Sequence, residues 1–485
     1  MKLKNLIEGL DVISVSGKLD VDIEGIAYDS RTVMKNCLFV SISGNTTNGH
    51  YYIEEVITKG AVAIMVEKDV KIDSVTVIKV ASSRDILHVI SSRFYNYPTN
   101  MLKLIGITGT NGKTTTAYMV KSILECAGKN VGLIGTIAIE IGNKKIESVK
   151  TTPESPDLQR LFKEMVNESI DYGVMEVSSH SLEFRRVDSC NFYIGAFTNL
   201  SQDHLDFHKT MENYRKVKEK LFYMTKHANI INIDDQEGRL IINNIKNTGI
   251  PLITFGIEEK ADIMARDISL SSNGVKFNLI TPKYTIPINS SIPGKFSIYN
   301  CLTAAAIGYA EDIPKEAICK GIESLYSVSG RLEVFDLNTP YKIIIDYAHT
   351  PAGLENVLIT IRHFIRGNLI TVFGCGGDRD KSKRATMGRI AGIYSDYCIL
   401  TSDNPRTENP ISIIKEIEIG IRDTNCSYLC IENRREAIKH AMALAKYNDV
   451  ILLAGKGHET YQVLNNKTID FDEREIVKEL LEEGT

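Results

Sequence analysis

Apolar runs of about four to six residues alternate with longer amphipathic stretches over most of the chain. Between about 100 and 329, the runs at 104–108, 131–134, 173–177, 194–198 and 230–233 read as strands. The stretches at 114–127, 157–169 and 212–224 carry helical spacing. Strand and helix in alternation predict a parallel sheet with crossover helices. From 261 to 292 the texture changes to alternating β-rich segments with Asn and Gly turns, read as antiparallel strands added to that sheet. A helical pair at 298–309 and 315–325 closes this part.

The alternation resumes near 330, with strands at 342–346, 369–373, 397–401 and 450–453. Helices are expected at 352–364, 386–395, 411–422 and 435–446. Residues before about 99 read as a smaller α/β unit, with strands at 37–42 and 61–66, a polar turn at 43–46, and a linker at Tyr97-Pro98-Thr99-Asn100. The expectation is an α/β fold in three domains: a small N-terminal α/β domain over 1–99, a central P-loop parallel-sheet ATPase domain over 100–329, and a C-terminal Rossmann-like domain over 330–485.

Composition narrows the partners. A net charge of −4 gives no electrostatic reason to expect nucleic acid or an anionic membrane. No apolar run approaches the roughly 20 residues of a membrane span, so no membrane insertion is expected. The nine cysteines are scattered without paired CxxC sets, which reads as reduced thiols in a cytoplasm.

The strongest chemical signal is Gly106-Ile107-Thr108-Gly109-Thr110-Asn111-Gly112-Lys113-Thr114-Thr115. It leaves an apolar strand and opens a helix, the arrangement that cradles a nucleotide phosphate on backbone N–H groups. Lys113 adds a mobile positive charge, and the Thr114 hydroxyl is a Mg²⁺ ligand type. Glu176 stands at another strand tip, followed by Ser178-Ser179-His180. The run Asn199 to His208 carries Asp203, His204, Asp206 and His208, a metal- or phosphate-binding composition. With no cysteine partner, Mg²⁺ with ATP fits better than zinc. The helix around Lys218 is rich in Lys and Arg, and by pattern alone it reads as a solvated face. At 151–157, Thr151, Thr152 and Ser155 with two prolines form a rigid hydroxyl-bearing loop, as substrate contacts or as a helix cap.

Four polar loops follow the strands of the last domain: 346–351, 374–380, 402–407 and 455–459. Arg379 and Arg406 are bidentate partners for a carboxylate or phosphate, and Asp403 and Glu459 are partners for an ammonium. A pocket with both signs suits an amino-acid-like zwitterion.

Together these motifs resemble the Mur ligases, ATP-dependent amino-acid-adding enzymes of peptidoglycan synthesis, whose work underlies cell shape and division. Their phosphate loop, G-x-x-G-x-x-G-K-[ST]-[ST], is matched by residues 106–115, and Asp29-Ser30-Arg31, Thr151-Thr152-Pro153, 175–180 and 346–351 match further motifs. The resemblance spans the chain. It implies ATP contacts at Gly109, Thr110, Asn111, Gly112, Lys113, Thr114, Thr115, Asn300, Arg331, Asp346 and His349. It implies Mg²⁺ on Thr114, Glu176, His204 and Lys218, the last as an N6-carboxylysine (carbamate), with Lys113, Glu176, His204 and Lys218 catalytic. The nucleotide precursor would be UDP-N-acetylmuramoyl-L-alanyl-D-glutamate, held by Ser30, Thr151, Thr152, Ser178 and Arg186.

The loop Asp403-Asn404-Pro405-Arg406, with Arg379, Gly455 and Glu459, resembles the form selecting meso-diaminopimelate. A guanidinium attracts the second carboxylate of that amino acid and repels the distal ammonium of L-lysine. Phe184 departs from the best-known diaminopimelate-adding members, which carry a glutamine there to contact the UDP-sugar. The protein is expected to be a monomer. Alternatives are an L-lysine-adding ligase of the same type, a folylpolyglutamate-synthase-like ligase, and a non-catalytic nucleotide-binding regulator. The last would leave Arg379, Asp403, Arg406 and Glu459 without a purpose.

Overall fold

The computed structural model describes all residues except 45, 46, 272, 336–338, 466, 484 and 485. The expected turn at 43–46 falls partly outside the described residues. The chain forms two compact units.

The first unit comprises Met1–Gly106, Lys129–Gly195 and Lys220–His227. It holds a five-stranded sheet in the order Val12–Ser16, Thr76–Val80, Ala61–Val66, Cys37–Val40, Gly25–Ala27. Only the pair at the Val12–Ser16 edge is antiparallel. Period-two alternation sends Leu38 and Val40 to one core and Cys37 and Phe39 to the other. The expected linker is a 3₁₀ turn, Pro98–Asn100, with Pro98 and Thr99 buried. Elsewhere in this unit Tyr172–Glu176 runs parallel to Val131–Ile134, which continues into the antiparallel strands Ala138–Ile141 and Lys144–Glu147.

The second unit comprises Ile107–Gly128, Ala196–Glu219 and Ala228–Thr485. Strands Lys103–Thr108 and Phe192–Phe197 run from the first unit into it. Thr225–Asn232 pairs in parallel with Leu252–Gly256, which pairs in parallel with Ile263–Ser271. Gly274–Ile280 and Thr285–Ser290 then add on antiparallel, as the texture of 261–292 predicts. Helices Lys295–Ala310 and Lys315–Glu323 pack on Lys113–Cys126.

The last sheet has the order Glu333–Phe335, Lys342–Asp346, Val450–Ala454, Leu369–Phe373, Tyr397–Leu400, Ser427–Cys430. Only Glu333–Phe335 is antiparallel to its neighbour. Its four inner strands are buried on both faces: Ile344 joins one core, while Ile343 and Ile345 join the other. Four adjacent parallel strands therefore end together, and each is followed by one of the four polar loops.

Two buried arginines hold those loops. Arg434 pairs with Glu473 at 2.8 Å and donates to the Ala454 carbonyl at 2.8 Å and the Ser402 carbonyl at 3.5 Å. Arg384, also buried, donates to Glu408 at 2.9 and 3.0 Å, to Glu416 at 2.9 Å and to the Gly376 carbonyl at 3.2 Å. The Arg384 bonds draw the Glu408 carboxyl down to about 2. A carboxylate with a depressed folded-state pKa stabilises above its unfolded value and loses that contribution as pH falls. Glu408→Gln should lower stability at pH 7 by on the order of 1–2 kcal/mol. The difference from the parent should shrink between about pH 4.5 and pH 2 in denaturant titrations. A pH-independent difference would show that the Arg384 pair is not its source.

Candidate functional site

The phosphate loop joins Lys103–Thr108 to helix Lys113–Cys126. Gly109 has φ +146°, and a Cβ there would sit 1.9 Å from Thr198 Oγ1, so both conformation and space demand glycine. Asn199 clamps the loop: Thr110 N donates to its carbonyl at 2.8 Å, and Asn111 N to its side-chain oxygen at 3.0 Å. The hydroxyl of Thr198 donates to the Asn111 carbonyl at 2.7 Å. Lys113 Nζ folds back onto the carbonyls of Gly109 at 3.0 Å and Thr110 at 2.8 Å.

Lys218 corrects the solvated-face reading. It is 1% exposed, and its Nζ donates to the same Gly109 carbonyl at 2.8 Å. The helix Met211–Glu219 points Lys216 outward while Arg215 and Lys218 turn in, since residues three apart share a face. Arg215 is ion-paired with Glu219 at 2.6 Å and Glu237 at 3.1 Å. Burial, with the adjacent Lys113 charge, pushes the Lys218 amine well below the usual lysine range.

The other expected nucleotide contacts gather around this loop. Asn300 Oδ1 accepts from Thr116 Oγ1 at 3.3 Å and packs over Gly112. Arg331 donates to Thr114 Oγ1 at 3.1 Å and lies over the Tyr347 ring at 4.8 Å. Its buried Nε has no partner among the described residues. Asp346 accepts from the Leu332 and Ala348 amides, both at 2.7 Å, and burial pushes its carboxyl up to about 6. His349 Nδ1 lies 2.9 Å from the Tyr347 carbonyl, and burial pushes its pKa down.

The sequence reading left Asp203 without a role of its own. It is buried, with His204 at 3.3 Å, Lys383 at 3.7 Å and His349 at 3.8 Å. Burial favours its neutral form, but the surrounding positive groups outweigh that and hold its carboxyl well below the usual range. Lys383, in a Lys- and Arg-rich stretch, gave no signal in sequence.

The expected nucleotide-precursor residues lie in the first unit. Glu176 is 1% exposed, with Oε1 accepting from Thr136 N at 2.8 Å and Oε2 from Thr136 Oγ1 at 3.1 Å. Thr151 meets Thr136 at 3.1 Å. Thr152 donates to the Glu176 carbonyl at 2.8 Å and accepts from Ser178 N at 3.1 Å. Arg186 donates to the Thr152 carbonyl at 3.1 Å and lies 2.8 Å from Glu154. Phe184 carries the Arg84 guanidinium at 4.8 Å and that of Arg186 at 5.6 Å. Thus Thr151, Thr152, Ser178, Arg186 and Glu176 form one connected group. Ser30 sits on a separate 3₁₀ turn, Ser30–Thr32, capped by Asp29.

The four polar loops bring the residues of the expected two-signed pocket together. Asn404 donates to Glu459 Oε2 at 2.8 Å and accepts from Val463 N at 2.9 Å. Asp403 accepts from Asn404 N at 2.6 Å. Gly455, at φ +112°, leaves room for Asp403 Oδ2, which a Cβ would approach to 2.7 Å. The Pro405 carbonyl packs on Gly377. Arg406, itself at φ +52°, donates to the Gly377 carbonyl at 2.8 Å, and Arg379 to the Asp378 carbonyl at 2.9 Å. Burial and the neighbouring Arg406 push Arg379 down from its usual value.

Three segments match family profiles: residues 22–98 the Mur ligase family catalytic domain, 107–308 the Mur ligase middle domain, and 330–457 the Mur ligase glutamate ligase domain. The UDP-N-acetylmuramoyl-L-alanyl-D-glutamate–2,6-diaminopimelate ligase of Alkaliphilus oremlandii is 50% identical over 480 residues, 99% of each chain. That of Caldanaerobacter subterraneus subsp. tengcongensis is 50% identical over 485 residues, 100% of each chain. A solved ligase of the same name aligns over 100% of this chain and 99% of its own, with 28% identity and a TM-score of 0.69. MurF from Acinetobacter baumannii shares the fold, with a TM-score of 0.72 at 18% identity over 99% of this chain and 98% of its own.

Gly109→Ala should cost more than about 2 kcal/mol of stability or abolish ADP binding, because the added methyl displaces Thr198 from the loop. Thermal melts and ADP titrations check this. Unchanged binding and melting would refute the close packing.

Proposed function

The chain belongs to the Mur ligase family, and from that premise we propose that it joins meso-diaminopimelate to the D-glutamyl γ-carboxylate of UDP-N-acetylmuramoyl-L-alanyl-D-glutamate at the expense of ATP. The observation that carries the amino-acid choice is the pocket at four adjacent strand tips, where Arg406 and Arg379 stand beside Asp403 and Glu459. Full-length relatives at 50% identity bearing that activity support the reading.

The division of labour follows the sequence boundaries: 1–99 for the uridine end with Ser30, 100–329 for ATP, and 330–485 for the amino acid. Thr151, Thr152, Ser178 and Arg186 hold the sugar and peptide. The protein acts in the cytoplasm as a monomer. Among the described residues no helix is long and apolar enough to cross a membrane.

The γ-carboxylate attacks the ATP γ-phosphate, giving an acyl phosphate and ADP. The diaminopimelate amine then attacks the acyl carbon, and phosphate leaves. The first step brings two anions together, so the chain's task is to neutralise charge. Lys113 does this at the transferred phosphoryl group, with the first turn of helix Lys113–Cys126 at the β-phosphate. Arg331 and His349 orient the nucleotide, with Asn300 and Asp346 fixing the walls. Mg²⁺ would take hard donors of the kind that Thr114 and His204 supply in the second unit and Glu176 in the first, and it would add to the neutralisation of the phosphates.

Lys218 fits carbamylation. Its amine is buried and driven toward the neutral form, the state that adds CO₂, and the product replaces a cation with an anionic oxygen donor. Protein equilibrated with ¹³C-labelled bicarbonate should show a carbamate carbon resonance that Lys218→Arg lacks. Identical spectra from both proteins would remove the modification from the mechanism.

Turnover measured with a panel of amino acids, ATP and the UDP-dipeptide tests the substrate choice. Meso-diaminopimelate should be preferred over L-lysine. Arg406→Ala should lower its kcat/KM about 10- to 100-fold, the worth of a charge-assisted bidentate contact of roughly 1.5–3 kcal/mol. Equal use of both amino acids by the parent would sink the reading of Arg406.

A further inference from the structure

Lys456 has no role in the reading so far, yet its ammonium is fully buried inside the amino-acid pocket. Its Nζ lies 3.0 Å from Glu459 Oε2 and 3.4 Å from Asn404 Oδ1. The rings of Tyr461 and Phe471 face it at 5.7 and 5.9 Å. A buried ammonium is costly unless paired, so its position is fixed by those partners. Glu459 Oε2 also accepts from Asn404 Nδ2 at 2.8 Å, which fills that oxygen. Oε1 takes no hydrogen bond from any described residue, and the side chain keeps 12% exposure. The carboxylate is thus held by one oxygen and presents the other.

The charges around it define what it accepts. Arg434 is paired with Glu473, so the two add no net charge, although Arg434 still acts on Asp403. Asp403 and Glu459 are then opposed by Lys456, Arg406 and Arg379. Without Lys456 the two signs would balance, and the pocket would better tolerate an amino acid carrying a net positive charge. Meso-diaminopimelate is net neutral with two carboxylates, whereas L-lysine is a net cation.

Resting on the proposed ligase reading, we propose that Lys456 is the positioning and selectivity residue of this pocket: it fixes Glu459 by one oxygen so that the other receives a substrate ammonium, and its charge tips the balance of the pocket to net positive, against the cation L-lysine. It acts through Glu459 and Asn404, not by touching the reacting atoms.

Steady-state kinetics of Lys456→Gln test this on the whole protein. The KM for diaminopimelate should rise at least tenfold, with kcat and the KM values for ATP and the UDP-dipeptide within about twofold. The diaminopimelate-to-lysine ratio of kcat/KM should fall by at least tenfold. Should this variant fail to fold, Lys456→Met combined with Glu459→Gln leaves no unpaired buried charge. That double variant should match Glu459→Gln alone in its KM for diaminopimelate, because removing Lys456 has no carboxylate left to misplace. An unchanged diaminopimelate KM, a parallel rise in all three KM values, or additive effects in the double variant would each overturn the proposal. A parent protein that does not ligate diaminopimelate would instead overturn the functional reading beneath it.

Discussion

Two lysines converge on one carbonyl oxygen, and the glycine-rich loop is built around that meeting. Lys113 Nζ and Lys218 Nζ both donate to Gly109 O, at 3.0 and 2.8 Å. Two cations that close repel each other unless one gives up its proton, and the buried Lys218 is the one driven to do so. The carbonyl is turned inward by a backbone conformation that favours glycine. The loop therefore faces its ligand side with a helix N-terminus and keeps its acceptor side for the lysines. Asn199, Thr198 and Asn300 complete the enclosure from neighbouring elements.

The amino-acid pocket is built on a similar economy. Three buried cations, Arg384, Arg434 and Lys456, each bind the loops at strand ends more than they bind one another. Apolar side chains would pack there at lower desolvation cost, but they would leave the loop carbonyls unsatisfied. Buried ion pairs here fix geometry. They set Asn404, Glu459 and Gly376 at defined positions beneath the loops of the proposed amino-acid pocket.

Much of this was legible in the chain because its signals are local. The alternation at 342–346, 369–373 and 131–134 coincides with the observed strands, and the phosphate loop opens the helix beginning at Lys113. Periodicity placed four polar loops after four strands, and the sheet order makes those strands neighbours. What stayed hidden depends on partners far away in sequence. Lys218 looks like any solvated lysine until Gly109, over a hundred residues earlier, is brought to it. Lys456 and Arg434 lie in stretches where charge normally means exposure, and only the converging strand tips bury them. The short hairpin Tyr461–Leu464 and Lys467–Asp470 escaped notice because so few residues carry its alternation.

That hairpin changes how the selectivity loop should be regarded. Arg406 N donates to the Val463 carbonyl at 3.2 Å, and Asn465 N to the Arg406 carbonyl at 2.8 Å. Gln462 reaches the Asp403 carbonyl at 2.6 Å, and Val463 N reaches Asn404. The four-residue motif proposed to choose the substrate is therefore one edge of a stitched pair, with its partner strand more than fifty residues downstream. Specificity is not portable as a tetrapeptide. A graft into a relative, or divergence toward another amino acid, has to move both edges together, so the two segments form a single heritable module despite their distance along the chain.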